Sequence, residues 1–215
     1  VIGKTGCGKT TLVDLLLRLY NVEDNTIFID DIDINRIPIK TLRKYSSYVP
    51  QDNFLFSDTI ESNIAFAYEY VNKDDVIKAS KLADVHDNII GFEKGYETIL
   101  GERGVTISGG QKQRTSIARA LMKDASILIL DDSVSAVDTK TEKVILNNLK
   151  ETRSGKTTLL IAHRISTVQD LDKILSLEDG KVLGFDTHEN LYNTLEEYRN
   201  MVELQRLEEE KGGND

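Results

Sequence analysis

The chain has 215 residues, enough for one hydrophobic core with a smaller lobe. Its net charge of −9 at neutral pH gives no basic footprint, so we expect no nucleic-acid partner. The apolar runs are far shorter than the roughly 18 residues that a membrane-spanning helix needs. No secretory signal peptide is visible, and the single cysteine excludes an internal disulfide.

The chain begins with a short apolar stretch followed by the loop GKTGCGKT and an amphipathic run. This loop matches the P-loop pattern G-x-x-x-x-G-K-[ST], in which backbone amides surround phosphate groups. We expect Lys9 to reach the β- and γ-phosphates and the Thr10 hydroxyl to bind Mg²⁺. We interpret Cys7 as a small filler, because no histidine lies near it in sequence. The residues predicted to contact the nucleotide here are Gly3, Thr5, Gly6, Cys7, Gly8, Lys9, Thr10 and Thr11.

A strand that runs into acidic turn residues follows, and we interpret Asp30, Asp31 and Asp33 as a solvated charged edge. A further strand is predicted over residues 46–49. Gln51 follows the end of that strand, where a glutamine is usually an ordinary polar terminus.

The next stretch is predicted to be mostly helical. Residues 74–82 carry two aspartates at the start of an amphipathic pattern, which favours a helix. Phe54, Phe56, Ile60 and Ile64 are most simply explained as packing residues of this region.

Residues 107–138 read ISGGQKQRTSIARALMKDASILILDDSVSAVD and contain two chemical elements joined by one predicted helix. The first element is Ser108, Gly109, Gly110 and Gln111, which precede or open the helical run. Glycines let backbone N–H groups approach an anion, and a helix N-terminus adds the positive end of its dipole. This element therefore predicts a second phosphate-binding site.

The second element is an apolar run over residues 127–130 that ends in Asp131 and Asp132. Apolar residues without alternation indicate a strand that is buried on both faces. Open α/β sheets bind ligands at the carboxyl ends of their strands, so both carboxylates are placed for metal or water chemistry.

The remaining chain continues the alternation of helix and strand. A helix is predicted over residues 139–150, capped by Asp138 or Thr139, and a buried strand over residues 157–162 ends in His163. Because the other strand ends carry phosphate-site residues, we expect His163 to contact the γ-phosphate.

The C-terminal part is predicted to be a hairpin followed by helix. Strands over residues 173–177 and 181–185 flank a D-G turn, which is a strong hairpin signal. His188 then begins a terminal helical region.

The P-loop, Gln51, ISGGQ, ILILDD and His163 occur in an order that resembles the nucleotide-binding domain of ABC transporters. Segments 55–64, 101–104 and 162–167 are similar to the exporter branch, which includes multidrug and lipid exporters. The resemblance covers nearly the whole chain. It implies an α/β P-loop NTPase fold with a RecA-like parallel-sheet core over residues 1–52 and 108–215. The helical signature subdomain is implied over residues 53–107, with its last helix continuing to about residue 122.

The resemblance also implies the binding and hydrolysis of MgATP. It assigns Mg²⁺ to Thr10 and Asp131, and charge stabilisation to Lys9 and His163. Gln51 is implied to sense both Mg²⁺ and the attacking water, which adds it to the metal-site residues.

The partners implied by the resemblance are a second nucleotide-binding domain and a transmembrane domain upstream in the same polypeptide. Two domains pack head to tail, so that Ser108–Gln111 cap the γ-phosphate of the partner's nucleotide, and residues 133–138 cross the interface as the D-loop. The surface around Phe54 and Phe56, together with residues 101–104, is implied to receive the membrane domain. We therefore expect the domain at the cytoplasmic face of a membrane, and we expect further chain before Val1 that includes the adenine contact.

Asp132 departs from the family pattern, in which most active members carry glutamate at this position as the general base or water orienter. An aspartate carboxylate retreats by about 1.5 Å, and a misplacement of roughly 1 Å can cost on the order of 10²-fold in rate. We therefore expect slow cleavage at this chain's own P-loop and favour a heterodimer with a glutamate-bearing partner over a homodimer. The alternatives are an ATP-binding regulatory half with little hydrolysis and an SMC-like ATPase, which the short spacing between P-loop and signature disfavours.

Overall fold

The structure is a computed structural model that describes residues 1–101, 105–135 and 137–212 and contains both helices and strands. The described helices are α1 (Lys9–Leu16), α2 (Ile39–Tyr45), α3 (Ile60–Ile64), α4 (Lys73–Leu82), α5 (His86–Ile90), α6 (Gly109–Met122), α7 (Thr139–Thr152), α8 (Ile165–Val168), α9 (His188–Thr194) and α10 (Glu196–Gly212), with short 3₁₀ helices at Ile34–Arg36 and Gly95–Glu97. The described strands are β1 (Phe28–Ile29), β2 (Ile32–Asp33), β3 (Ser46–Val49), β4 (Ile127–Asp131), β5 (Thr157–Ile161), β6 (Ile174–Glu178) and β7 (Lys181–Asp186). Residue contacts divide the chain into a first unit, Val1–Asn21 with Leu160–Asp215, and a second unit, Val22–Leu159. In the part of the chain described here, no helix is both long and apolar enough to cross a membrane.

The first unit places the start of the chain between two strands. The Val1 nitrogen donates to Leu160 O at 2.6 Å and the Ala162 N–H donates to Val1 O at 3.2 Å, which is the bonding pattern of parallel strands. On the other side, Ile2 forms a parallel bridge with Ser176 on β6. The loop after Ile2 and the segment after Ala162 therefore leave the sheet at the same edge.

The core of the first unit packs this sheet against the C-terminal helices. Apolar side chains from the strands and from α8, α9 and α10 meet there, and burying them removes apolar surface from water. The fully buried members of this cluster are Ile2, Ala162, Ile165, Val168, Ile174, Leu191 and Tyr198.

Strands β6 and β7 form the hairpin that the D-G turn predicts. They are antiparallel, and Ile174 pairs with Asp186 at one end and Glu178 with Lys181 at the other. Asp179 and Gly180 both have positive φ angles, 46° and 75°, as a two-residue hairpin turn requires. The Gly180 N–H donates to Cys7 O at 3.0 Å, so the hairpin turn supports the N-terminal loop.

The second unit is built on the parallel pairing of β3 with β4, in the register Val49 to Leu130, and its strand order is β3-β4-β5. Helices α3 and α4 pack on α6, which is buried on nearly all sides over residues 115–118. The α/β class with a parallel sheet, predicted from the sequence, is confirmed. The predicted boundaries 1–52, 53–107 and 108–215 stay a prediction.

Two local interpretations of the sequence are wrong. Asp33 is only 4% exposed, because its carboxylate accepts hydrogen bonds from the N–H groups of Asn25 at 2.7 Å and Asn35 at 2.9 Å. It therefore caps the 3₁₀ helix that follows and is not part of a solvated edge. Strand β5 is buried only towards its end, since Thr157 and Thr158 are exposed.

Candidate functional site

The P-loop of the first unit runs from the N-terminal strand directly into α1. Gly6 and Gly8 have φ angles of 84° and 101°, in the left-handed region that glycine adopts without strain. Gly8 is the N-cap of α1, and the first N–H groups of a helix have no partner within the helix. Thr10 and Thr11 lie exposed in the first turn of this helix. The loop thus offers backbone donors and hydroxyl groups to an anion.

Gly3 is required by a close approach of the loop to strand β6. A Cβ atom added at Gly3 would lie 2.2 Å from the carbonyl oxygen of Leu177 and 2.6 Å from Sγ of Cys7. Because the backbone oxygen of Leu177 leaves no room for a Cβ atom at this position, only glycine fits. Cys7 is itself buried, consistent with a small residue that fills the space below the loop.

The Lys9 ammonium lies inside the loop. Its Nζ atom donates to the carbonyl oxygens of Gly3 at 2.7 Å and Lys4 at 2.9 Å, and Lys9 is only 7% exposed. Both oxygens are neutral, so they orient the ammonium and leave its positive charge available to a phosphate. Lys4 differs, since it is exposed and pairs with Glu178 at 3.2 Å.

His163 follows the end of β5 in the same unit and is half-buried. It comes one residue after Ala162, whose N–H donates to Val1 O. The carbonyl oxygen of His163 accepts from the side-chain amide of Gln205 at 2.7 Å. His163 and the P-loop therefore both begin at the carboxyl ends of neighbouring strands, as predicted.

The second unit brings together the predicted residues at the ends of β3 and β4. Since these strands are parallel, Gln51 after β3 and Asp131 at the end of β4 lie at one edge of the sheet. Asp131 is only 2% exposed, and its Oδ2 atom accepts from the Tyr48 hydroxyl at 3.3 Å. Tyr48 was missed from the sequence, where it read only as a strand residue.

Asp132 adopts a positive φ of 45°, which is unusual for a residue other than glycine. Its carbonyl oxygen accepts from the Ser135 hydroxyl at 2.8 Å, which tightens the turn after β4. Among the described residues, its buried Oδ1 atom has no hydrogen-bond partner. A buried acceptor of this kind fits a water molecule or metal-bound ligand.

The signature segment forms the N-terminus of α6. Ser108 is the N-cap, and its hydroxyl accepts from the Gln111 N–H at 3.2 Å while Gln111 Oε1 accepts from the Ser108 N–H at 2.9 Å. This reciprocal pair is a capping box. Ser108 and Gly109 are exposed, so this helix end faces solvent with its positive dipole.

Gln113 ties the signature helix to the sheet edge and was also missed from the sequence. It is buried, and its Nε2 atom donates to the carbonyl oxygen of Ser133, just after Asp132. Its Oε1 atom accepts from Nδ2 of Asn53 at 2.6 Å, just after Gln51. A polar glutamine among the apolar residues of a predicted helix is the signal that could have pointed to such a role.

The apolar residues of the predicted lobe divide into core and surface. Ile60 and Ile64 are buried, as expected for packing residues, whereas Phe54 is 65% exposed. Arg119 on α6 donates to the carbonyl oxygen of Phe54 at 2.9 Å, and its guanidinium lies over the ring of Phe56 at 5.5 Å. Burial lowers the pKa of Arg119. An apolar surface is thus held in place by a cation beneath it.

Three residues of the predicted segment 101–104, Glu102, Arg103 and Gly104, lie outside the described residues, as does Ala136 of the predicted D-loop. The neighbouring D-loop residue Asp138 caps α7 by accepting from the Thr141 N–H at 3.0 Å. This hydrogen bond lowers the pKa of the Asp138 carboxyl.

Known proteins are similar to this chain in both sequence and fold. The lipid A-core flippase of Syntrophus aciditrophicus is 41% identical over 218 residues, which covers 100% of this chain and 36% of the flippase. The probable multidrug resistance ABC transporter ATP-binding/permease protein YheI of Bacillus subtilis is 44% identical over 214 residues, covering 99% of this chain and 37% of that protein. This chain therefore spans a little more than a third of the length of these relatives.

A solved structure of a bacterial Atm1-family ABC exporter with ATP bound superposes with a TM-score of 0.90 at 40% identity, over 95% of this chain and 36% of that exporter. The family model for ABC transporters matches residues 1–135. Since that match covers more than half of the sequence, the chain belongs to the ABC transporter family.

Proposed function

We propose that this domain binds MgATP on its own P-loop and takes part, at a head-to-tail interface with a second nucleotide-binding domain, in the ATP hydrolysis that drives export of a substrate across a membrane. The observation that carries this proposal is the Lys9 ammonium, buried inside a glycine loop and oriented by the carbonyl oxygens of Gly3 and Lys4. An immobilised cation among backbone donors is the arrangement that stabilises phosphate charge as it develops.

The residues of the site divide the chemistry among them. Lys9 binds the β- and γ-phosphates, and His163 stabilises charge on the γ-phosphate. Thr10, Gln51 and Asp131 would hold Mg²⁺, which neutralises phosphate charge when it is bound. A buried carboxylate and a helix-start hydroxyl are the oxygen ligands that this cation prefers.

Asp132 would orient the attacking water and accept its proton. Its buried Oδ1 atom, without a partner among the described residues, supports this role. The shorter side chain places the carboxylate about 1.5 Å further back than a glutamate would, so hydrolysis at this site is slow. ATP binding does not depend on Asp132 and is retained.

The signature segment would act on a second domain's nucleotide. Ser108 and Gly109 are exposed at a capped helix N-terminus, which suits contact with a γ-phosphate brought by a partner. Because this contribution is intact while Asp132 is weakened, we favour a heterodimer in which the partner carries glutamate and hydrolyses ATP. ATP on Lys9 and Thr10 then persists and holds the pair together.

The transmembrane part would lie upstream in the same polypeptide. The relatives that match are named as flippases or ATP-binding/permease proteins, and this chain spans only a little more than a third of their length. The domain then works at the cytoplasmic face of the cell membrane. The exposed surface around Phe54 supports contact with the membrane domain.

ATP binding to the full-length protein tests the proposal. Lys9→Ala is expected to abolish binding of ATP. Lys4→Ala is the matched control, because the Lys4 side chain belongs to the same loop but lies exposed on the surface, where it pairs with Glu178. ATP binding that survives Lys9→Ala, or that Lys4→Ala removes equally, would contradict the proposal.

A further inference from the structure

The side-chain amide of Gln205, on α10, makes two hydrogen bonds to the segment that contains His163. Its Oε1 atom accepts from the Ile165 N–H at 2.7 Å, and its Nε2 atom donates to the His163 carbonyl oxygen at 2.7 Å. Both are of ordinary length for strong hydrogen bonds, and the amide bridges 40 to 42 residues of sequence. Gln205 therefore holds the backbone on both sides of Arg164.

Helix α10 is rigidly placed where it carries Gln205. Tyr198 is fully buried in the core of the first unit, and Met201 and Val202 pack against the same core. Gln205 follows at the next position of this helical face, since residues at i, i+3, i+4 and i+7 lie on one side. The apolar face thus ends in a polar residue that reaches the His163 segment.

The acceptor half of this contact completes a helix end. Ile165 is the first residue of α8, and its N-cap residue, Arg164, provides no side-chain cap. The first N–H groups of a helix need partners from outside it. Gln205 supplies one from another helix, so it fixes where α8 begins.

The other end of the segment is fixed by the sheet. The Ala162 N–H donates to the carbonyl oxygen of Val1. Val1 leads through Ile2 into the P-loop. His163 lies between this bond and the Gln205 amide, and its carbonyl oxygen is itself held. Its imidazole is therefore carried on a backbone with two anchors, one of them on the P-loop strand.

We propose that Gln205 is a positioning residue for His163, which sets the imidazole for its contact with the γ-phosphate. The proposal rests on the function proposed above for His163. Gln205 does not touch the nucleotide and acts through the backbone. A displacement of about 1 Å in a catalytic group can cost on the order of 10²-fold in rate, so loss of this anchor should be felt in turnover.

The test uses the full-length protein with its partner and measures hydrolysis on this chain alone. Photo-cross-linking of 8-azido-ATP to this chain, followed by separation of bound ATP and ADP, gives the single-turnover rate constant and the half-saturating nucleotide concentration. Gln205→Met removes both hydrogen bonds at similar side-chain length, and Gln205→Glu keeps the acceptor for Ile165. Leu204→Ala is the control on the same helix, because Leu204 is 59% exposed.

We expect Gln205→Met to lower the rate constant about 10- to 100-fold with the half-saturating concentration changed less than about threefold. Gln205→Glu should recover part of this loss, and Leu204→Ala should behave as the wild type. If Gln205→Met lowers the yield of folded protein, the comparison of Gln205→Glu with Leu204→Ala carries the test. Equal rates for the Gln205 variants and Leu204→Ala would overturn the proposal.

A double-mutant cycle separates positioning from general stability. In a His163→Ala background, Gln205→Met should cause no further loss, because residues that act as one unit are not additive. If the rate losses of the two single variants multiply in the double variant, Gln205 acts elsewhere, and this result would overturn the inference. A wild-type rate for His163→Ala alone would instead contradict the role proposed for His163.

Discussion

The Tyr48 hydroxyl on β3 donates to Oδ2 of Asp131 on β4 at 3.3 Å, across the parallel pair that forms the sheet edge. This contact orients the buried carboxylate that we propose as a metal ligand. Removing a hydrogen bond that a neighbouring residue makes to a metal ligand commonly lowers metal affinity by about 10- to 100-fold. Tyr48 therefore links the strand before Gln51 to the chemistry of Asp131.

Tyr48→Phe removes this hydroxyl and leaves the ring in place. We expect the Mg²⁺ concentration for half-maximal single-turnover hydrolysis of the ATP bound to this chain, in the full-length protein, to rise by about tenfold. Thermal stability should change little, because the ring keeps its packing. An unchanged Mg²⁺ dependence, measured as a titration at saturating ATP, would show that the contact does not orient the carboxylate.

Gly3→Ala should destabilise the fold, because the new Cβ would meet the carbonyl oxygen of Leu177 at 2.2 Å. Overpacking against backbone commonly costs about 1–3 kcal/mol. Calorimetric melting of the full-length protein measures the effect. Gly109→Ala is the matched control, since nothing lies within 4 Å of a Cβ added there, and its melting temperature should be that of the wild type or slightly higher.

The hairpin of the first unit should show an acid-sensitive ion pair. A hydrogen bond from Lys173, with others from the Thr187 N–H and Asn190, lowers the pKa of Asp186 to about 2. A depressed carboxyl pKa stabilises the folded state above the unfolded value, near 3.8, and this contribution is lost as the pH falls towards 2. Lys173→Met removes the largest cause, so its melting temperature should fall less between pH 4 and pH 2 than that of the wild type. Parallel melting curves over this range would contradict the assignment.

Asp132→Glu tests the proposed asymmetry of the two sites. In a heterodimer the partner's site should still dominate steady-state turnover, so the rate of the full-length complex should change little. In a homodimer of two slow sites, the rate should rise by up to about 10²-fold. Purification of this protein as a homodimer that transports unaided would also contradict the heterodimer.

The sequence predicts the fold best where the pattern is local and strong. The apolar run before Asp131 and the D-G turn after Glu178 each have one plausible structure, and both are found. Asp33 was misassigned because a carboxylate that accepts backbone N–H groups looks, in sequence, like any exposed aspartate. Capping partners are specified by tertiary contacts and not by composition.

The missed site residues share one property, which is that they act over long sequence distances. Tyr48 contacts Asp131 across 83 residues, and Gln205 contacts His163 across 42. Neither residue type is unusual for its element, so no local pattern marks it. Only the pairing of strands and the packing of α10 bring these groups together.

In the proposed head-to-tail pair, this chain binds ATP with its own Lys9 and completes a partner's site with its own Ser108. Paired measurements of ATP binding and turnover by the full-length complex test this arrangement most directly. Thr187→Ala is the control, because Ser108 and Thr187 each cap a helix and the loss of either cap lowers stability by about 0.5–2 kcal/mol. We expect Lys9→Ala to remove ATP from this chain, and we expect Ser108→Ala to leave that ATP bound and to stop turnover at the partner's site. Loss of ATP binding to this chain in Ser108→Ala, as severe as in Lys9→Ala, would contradict the head-to-tail arrangement.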